Sequence, residues 1–357
     1  GVDQPTRDEL RNLVATCQEN HFLYDVEYIS EALSWSSNRT YTSATPKMTL
    51  KQHRSSILAM TGAFDDNGRK LVVSSSADGE VATWDAMSGK LFQSFTLDRH
   101  FACAMDIIFS GTGLLIAGAG RQPRSAPSIV LYGMDQQTGA WVEKFGCEPV
   151  GGKVVTTVRG MPGTKSFSFC AGIAMTNNTH SIEIFDTGRG MIQSTHQIRD
   201  HSDTVTALAV PSETAIISGS RDSTVMIHDT RNPTGTVNLM EHSLTVSSIS
   251  CVNNYLATGG LDRRVVLHDM RMLHQPVAQR DLDSAVISLS LTEAGFCYVA
   301  TQGGLHSLNA TQTGMPASFV VGSPSSQPYN CVLAHSAANS IYVAGESRAI
   351  DVLSMEQ

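Results

Sequence analysis

Apolar and polar positions repeat along this chain in a unit of roughly 40 residues. The unit is clearest from Ile216 to Arg231, I-I-S-G-S-R-D-S-T-V-M-I-H-D-T-R. Ile216 and Ile217 open one short apolar run, and Val225, Met226 and Ile227 fill a second. Asp222 lies in the polar turn between them. This pattern predicts two short strands joined by a tight turn. Nearly the same text returns from Leu256 to Arg271, and a related form, L-V-V-S-S-S-A-D-G-E-V-A-T-W-D, precedes it from Leu71 to Asp85. Equivalent positions at the end of the second run are Trp84, Tyr132, Phe185, His228, His268, Leu308 and Leu353, which divides the chain into seven units.

The region before the repeats follows a different pattern. Thr6-x-x-Glu9 reads as a capping box, and Leu10, Leu13, Val14 and Cys17 follow at helical spacing, so residues 1–19 are expected to be a helix. Residues 21–35 read as a strand, with a helix as the alternative, and 36–45 as a polar loop. A repeat array that stops after the third strand of its last unit lacks that unit's outermost strand, and an N-terminal strand is expected to supply it. Asp25–Leu33 and Met48–Lys51 are the two candidates. The domain reading is therefore an entry segment over 1–45 and a repeat domain over 46–357. A Pro-, Ser- and Arg-containing insertion over 120–128 is expected to protrude from the second unit.

Trp-Asp or its equivalent at the end of each unit resembles the WD-repeat family. That resemblance implies an all-β, seven-bladed β-propeller with an N-terminal helix, the ring closed by an N-terminal strand. It also implies a buried hydrogen-bonded set in each blade: a His before the first strand, a Ser or Thr on the second, an Asp in the next turn, and the Trp. Three sets match: His53, Ser74, Asp78 and Trp84; His201, Ser218, Asp222 and His228; His242, Thr258, Asp262 and His268. The third unit has Thr179 where the Asp is expected. A His–Asp–Ser combination also suggests a hydrolase, but three copies at blade spacing and no strand–G-x-S-x-G–helix context indicate architecture, so no catalytic residue is assigned. His228 and His268 stand where Trp is usual. Neither has a second ligand at metal spacing, so no metal or cofactor is expected.

Composition narrows the partners. The formal net charge is −8, which disfavours direct nucleic-acid binding and is compatible with basic protein partners. The seven Cys are dispersed with no Cys-x-x-Cys, which fits reduced thiols in an intracellular protein, nuclear or cytoplasmic. No apolar run is long enough for a membrane span, nothing at the N-terminus reads as a signal peptide, and the propeller is expected to be monomeric.

Within the family, Phe22-Leu23-Tyr24-Asp25, Ala32-Leu33 and Trp35 after a helix resemble the entry segment of the retinoblastoma-binding, nucleosome-remodelling histone chaperones. Asp229-Thr230-Arg231 and Asp269-Met270-Arg271, in the fourth and fifth units, resemble that family's Trp-Asp-x-Arg boxes, and equally those of cullin-type ubiquitin-ligase substrate receptors. The resemblance implies a non-enzymatic scaffold that binds histones H3 and H4, or another multiprotein complex. Asp8, Glu9 and Glu19 would face a groove beside the helix. On the ring's top face, Arg54, Ser202, Asp203 and Arg221 are candidate contacts, and at its lower edge Asp229, Arg231, Asp269 and Arg271. The family's acidic, proline-rich loop in the penultimate blade has no counterpart here.

Overall fold

The computed structural model describes residues 43–356, apart from 65–68, 98–99, 109–112, 121–127, 136–137, 139, 148–152, 163–167, 176–178, 188–191, 274, 312–313, 323–326 and 336–339. The expected N-terminal helix, the candidate strand Asp25–Leu33 and the interior of the 120–128 insertion lie outside the described residues. Every described element is a strand, and these form seven four-stranded antiparallel sheets. Blade 1 runs β2 (Ile57–Phe64), β3 (Lys70–Ser76), β4 (Glu80–Asp85) and β5 (Leu91–Thr96), from the channel outward. Blades 2 and 3 repeat it as β6 (His100–Ile108) to β9 (Trp141–Cys147) and β10 (Lys153–Gly160) to β13 (Gln193–Ile198). Blade 4 comprises β14 (Val205–Ser212), β15 (Ala215–Ser220), β16 (Val225–Asp229) and β17 (Asn232–Leu239). Blade 5 comprises β18 (Val246–Val252), β19 (Tyr255–Gly260), β20 (Arg264–Asp269) and β21 (Ala278–Asp281), and blade 6 runs from β22 (Val286–Leu291) to β25 (Ala317–Val321).

Blade 7 is assembled from both ends of the described chain. Its inner strands are β26 (Tyr329–His335), β27 (Ser340–Gly345) and β28 (Ala349–Glu356), and its outermost strand is β1 (Ser43–Lys51). β1 pairs antiparallel with β28 from Ser43↔Glu356 to Lys51↔Ala349, with a register shift between Pro46 and Met48. The closing strand is thus the later of the two sequence candidates, and it starts earlier than expected. Residues 43–45 are strand and not loop, because β28 supplies hydrogen-bond partners along their whole length.

The seven positions equivalent to Trp84 are all buried on the third strands of their blades. They pack in sheet-to-sheet layers. One core cluster joins Leu50 of β1 to Ile57, Val72 and Trp84 of blade 1 and to Tyr342, Ile350 and Val352 of blade 7. Tyr342 donates its hydroxyl to Ala86 O at 2.5 Å, tying the last blade to the first. Neighbouring blades approach closely where the second-last residue of the second strand is glycine, as in β15 and β19. A Cβ on Gly219 would lie 2.6 Å from Val246 Cγ1, and one on Gly259 2.5 Å from Val286 Cγ1, so a side chain at either position would push two blades apart.

Hydroxyl side chains on the innermost strands add a polar belt around the channel. Thr156 Oγ1 donates to Val205 O (2.6 Å), Thr206 Oγ1 to Val246 O (2.5 Å) and Ser247 Oγ to Val286 O (2.6 Å). Leu289 N donates to Ser248 Oγ (3.0 Å) and Val332 N to Ser288 Oγ (3.3 Å). Between blades 2 and 3, Gly160 N donates to Asp106 Oδ2 (2.9 Å), and Arg159 lies 3.7 Å from the same carboxylate. Each bond crosses a blade junction, so the junctions are held by directional contacts as well as by apolar burial.

Leu50→Ala removes a buried side chain from the closing strand and leaves a cavity between first and last blades, which is expected to destabilise the protein by about 2–4 kcal/mol. Urea unfolding measures this, and an unchanged midpoint would show that the ring does not depend on β1.

Candidate functional site

Two kinds of residue need placing: the buried polar sets inside the blades and the exposed residues at the loop ends. In blade 4 the local sequence explains the set. Asp222 occupies the turn after β15, where Thr224 N and Thr224 Oγ1 donate to its Oδ1 at 3.0 and 2.6 Å. Its other oxygen accepts from Ser202 N (2.9 Å) and lies 3.0 Å from His201 Nδ1. Ser218 Oγ on β15 sits 2.7 Å from His201 Nε2 and 2.8 Å from His228 Nε2 on β16. These hydrogen bonds hold the Asp222 carboxyl at a pKa of about 2, against a desolvation that acts in the opposite direction.

A carboxylate only accepts hydrogen bonds, so His201 carries its proton on Nδ1, and its Nε2 accepts from Ser218. Ser218 Oγ must then accept from His228 Nε2–H. Blade 1 shows the same direction with a group whose proton is fixed. Trp84 Nε1 donates to Ser74 Oγ at 3.0 Å, and Ser74 Oγ lies 2.8 Å from His53 Nε2. His228 therefore replaces the indole N–H with an imidazole Nε2–H. Its second nitrogen lies 3.2 Å from Asp200 Oδ2, yet burial dominates and pushes its pKa down to about 4. This imidazole is neutral at pH 7.

The other two sets depart from the sequence expectation. In blade 1, the carboxylate facing His53 is Glu80 (Oε2 3.4 Å from Nδ1), not Asp78. Asp78 instead accepts from Ser76 Oγ and from Glu80 N, closing its own turn, while Glu80 also accepts from Gln52 Nε2 at 2.8 Å. The longer glutamate side chain reaches the imidazole from the start of β4. In blade 5, His242 bonds Thr258 Oγ1 (2.9 Å) and Asp262 (3.1 Å), and Asp262 accepts from Ser243 N (3.0 Å). His268 is buried, but neither ring nitrogen has a hydrogen-bond partner among the described residues. The fourth member of that set is therefore not joined to it.

At the opposite loop end, each Asp-x-Arg is a closed pair. Arg231 Nη2 lies 2.8 Å from Asp229 Oδ2, with Nε 3.0 Å from Oδ1, and Arg271 repeats this on Asp269 at 2.6 and 2.9 Å. Asp229 is held at about pKa 2 by the Arg231 hydrogen bonds. Both guanidiniums are solvent-exposed.

Arg54, Ser202, Asp203 and Arg221 lie in connections at the other end, which precede the innermost strands or join the second strand to the third. Asp203 accepts from Thr204 N at 2.5 Å. Asp8, Glu9 and Glu19 lie outside the described residues. Glu80, Asp106, Asp200 and the inner-strand hydroxyls were not singled out from the sequence. Only the place of Glu80, two residues after the turn aspartate, was a readable signal.

Among the described residues no group of three or more His, Cys, Asp or Glu converges on a point, and no helix is long and apolar enough to cross a membrane. Cys170, Cys297 and Cys331 are buried thiols whose pKa values burial pushes up to about 12.

Residues 44–85, 192–229 and 232–269 match the family described as WD domain, G-beta repeat. The first match begins in β1 and ends at Asp85; the others end at Asp229 and Asp269, the last residues of β16 and β20. These three stretches are WD repeats within a seven-bladed propeller. A search of the curated proteins found no match.

Asp222→Ala strands the His201 imidazole and two backbone N–H groups, and is expected to cost about 1–3 kcal/mol in urea unfolding. The pH dependence has a definite sign. His228 has a folded pKa near 4 against 6.5 unfolded, so the unfolded chain binds the extra proton first as pH falls. The stability is full above pH 6.5 and is lost progressively down to pH 4, by about 3 kcal/mol at most from this group. His228→Trp, which restores the blade 1 arrangement, is expected to shallow that acid-side slope in unfolding curves taken from pH 7.5 to 4.5.

Proposed function

We propose that this protein is a non-enzymatic interaction scaffold that presents its loop ends to other proteins. The observation that carries this reading is the closure of the His–Ser–Asp sets. His201 and Ser218 are buried, and each polar atom of the relay is committed to a neighbour inside the blade, leaving no face on which a substrate could be attacked. With His201, Ser218 and Asp222 engaged in holding the blade, the variable loop ends are the surface left for function.

A finer reading, a histone-binding subunit of a chromatin complex, is supported by the resemblance of Phe22–Asp25, Ala32–Leu33 and Trp35 to the entry segment of retinoblastoma-binding histone chaperones. It assigns histone contact to the N-terminal flank around Asp8, Glu9 and Glu19. The ligase-receptor alternative would use Arg231 and Arg271. Each guanidinium is already gripped by the aspartate two residues before it, so no specific observation favours that alternative.

Affinity purification of the tagged full chain from its own cells, with mass spectrometry of co-purifying proteins, tests both levels. A reproducible set of partners is expected, with histones and assembly or remodelling subunits if the finer reading holds. Partners without histones would overturn the finer reading only, and no partners at all would overturn the scaffold.

A further inference from the structure

One buried imidazole stands outside the relay of its blade. His268 is 1% exposed, and neither of its ring nitrogens has a hydrogen-bond partner among the described residues. Blade 4 engages both nitrogens at the same position: His228 Nε2 lies 2.8 Å from Ser218 Oγ and Nδ1 3.2 Å from Asp200 Oδ2. In blade 5 the Thr258 hydroxyl bonds His242 instead, at 2.9 Å. Glu241 precedes His242 as Asp200 precedes His201, yet it does not hydrogen-bond His268. A ring buried in this way is held as the neutral form, because a buried charge without a hydrogen-bonded partner is costly.

The titratable groups that face His268 are Glu241 and His242, both from the loop before β18. Burial pushes its pKa below 6.5, Glu241 acts against that shift and His242 adds to it. Its cross-strand partner Leu256 packs into an apolar layer with Ile217, Val225 and Leu239 of blade 4, so the blade 4 side of the ring is apolar.

The segment that covers this layer is thinly held. Met270 is fixed: its N–H donates to Asn254 O at 2.7 Å, and the Cys251 thiol lies 3.4 Å from its sulfur. Beyond it the chain lays Leu273 on the layer and crosses to β21. β21 is the shortest described strand, with four residues, and its ladder with β20 ends at Leu267↔Ala278, one residue short of His268. Ala278 is the only buried residue among those described from 271 to 281, and Met272 and Val277 are 63% and 50% exposed. The remaining ties are Val277 N to Leu267 O (2.7 Å) and the exposed Arg264–Asp281 pair (3.2 Å). A segment with so little burial opens at small cost.

We propose that residues 271–281 form an acid-released flap on blade 5, closed over a neutral His268 and lifted when that imidazole takes a proton. Lifting the flap returns the charged ring to water. The opened state, with the ring at its ordinary pKa of 6.5, binds the proton more tightly than the closed state. The closed flap is therefore fully favoured above pH 6.5 and loses ground as pH falls below it.

Hydrogen–deuterium exchange with mass spectrometry on the full chain, at pH 7.5 and 5.0 and corrected for the intrinsic rate, tests this. Peptides covering 271–281 are expected to lose protection by at least about tenfold at pH 5.0. Peptides of β23 (Phe296–Thr301) and β24 (Gly304–Asn309), where Leu308 stands at the His268 position, are expected to keep theirs. His268→Leu gives blade 5 the residue that blades 6 and 7 carry as Leu308 and Leu353, so it is expected to fold and to hold the flap closed at both pH values. The acid response of His228 in blade 4 persists in that variant, which separates the two imidazoles. Asp281→Ala, at an exposed position, removes the pair with Arg264 and is expected to raise the pH at which protection is lost. Equal protection of 271–281 at the two pH values in the wild-type chain, or the same loss in His268→Leu, would overturn the proposal. So would a His268 ring that titrates at or above pH 6.5 in histidine-labelled NMR spectra, because the closed blade would then hold the charged form.

Discussion

A ring of sheets is stable only if its first and last members meet, and here that meeting is made by one borrowed strand. β1 completes blade 7 by pairing along β28, so the two termini of the described chain are held side by side. Without it, β28 would present a row of unpaired backbone groups, and the apolar layer joining Leu50, Trp84 and Tyr342 would open to water. The other junctions are each formed by neighbours in sequence. This one is formed across the whole repeat array, which makes it the contact on which the geometry of every other blade depends.

The polar sets are a second, local solution to the same problem of holding a thin blade rigid. A hydroxyl on the second strand accepts from the third strand and donates to an imidazole from the preceding loop, and that imidazole donates to a carboxylate. Blades 1 and 4 run this relay in the same direction with different residues, Trp84 in one and His228 in the other. In these two blades the position therefore keeps a donor, not an indole. Blade 5 keeps the hydroxyl–imidazole–carboxylate part without the third-strand donor, and blades 6 and 7 place Leu308 and Leu353 where the donor would be, relying on apolar packing instead. Such unequal blades predict unequal local stability around one ring.

Engaging the polar interior in structure divides labour across the molecule. Carboxylates on the loop end are drawn inward as acceptors for N–H groups and imidazoles, whereas arginine has no acceptor function and no such task inside the blade. Arg54, Arg221, Arg263 and Arg348 are left outward there, beside the exposed carboxylates of Asp281, Asp283 and Glu346. At the opposite end the balance differs, because Arg231 and Arg271 each find an aspartate two residues away. Net charge alone does not say what each face attracts; the placement of its charged groups does.

The sequence by itself determined the number of blades, the place of the turns and the residues that close them. A period near 40 residues with strand-turn-strand text leaves few other architectures, and an Asp beside a turn N–H is a local event. It placed Asp222 with His201 and Ser218 correctly in one cluster, because all three lie within one repeat. Tertiary structure alone decided the rest. It chose β1 over the earlier candidate as the closing strand, since that choice depends on pairing with residues some 300 positions away. It put Glu80 and not Asp78 on His53, because side-chain reach across a loop is not written in spacing. It closed Arg231 onto Asp229 and Arg271 onto Asp269, which depends on what each guanidinium meets in space.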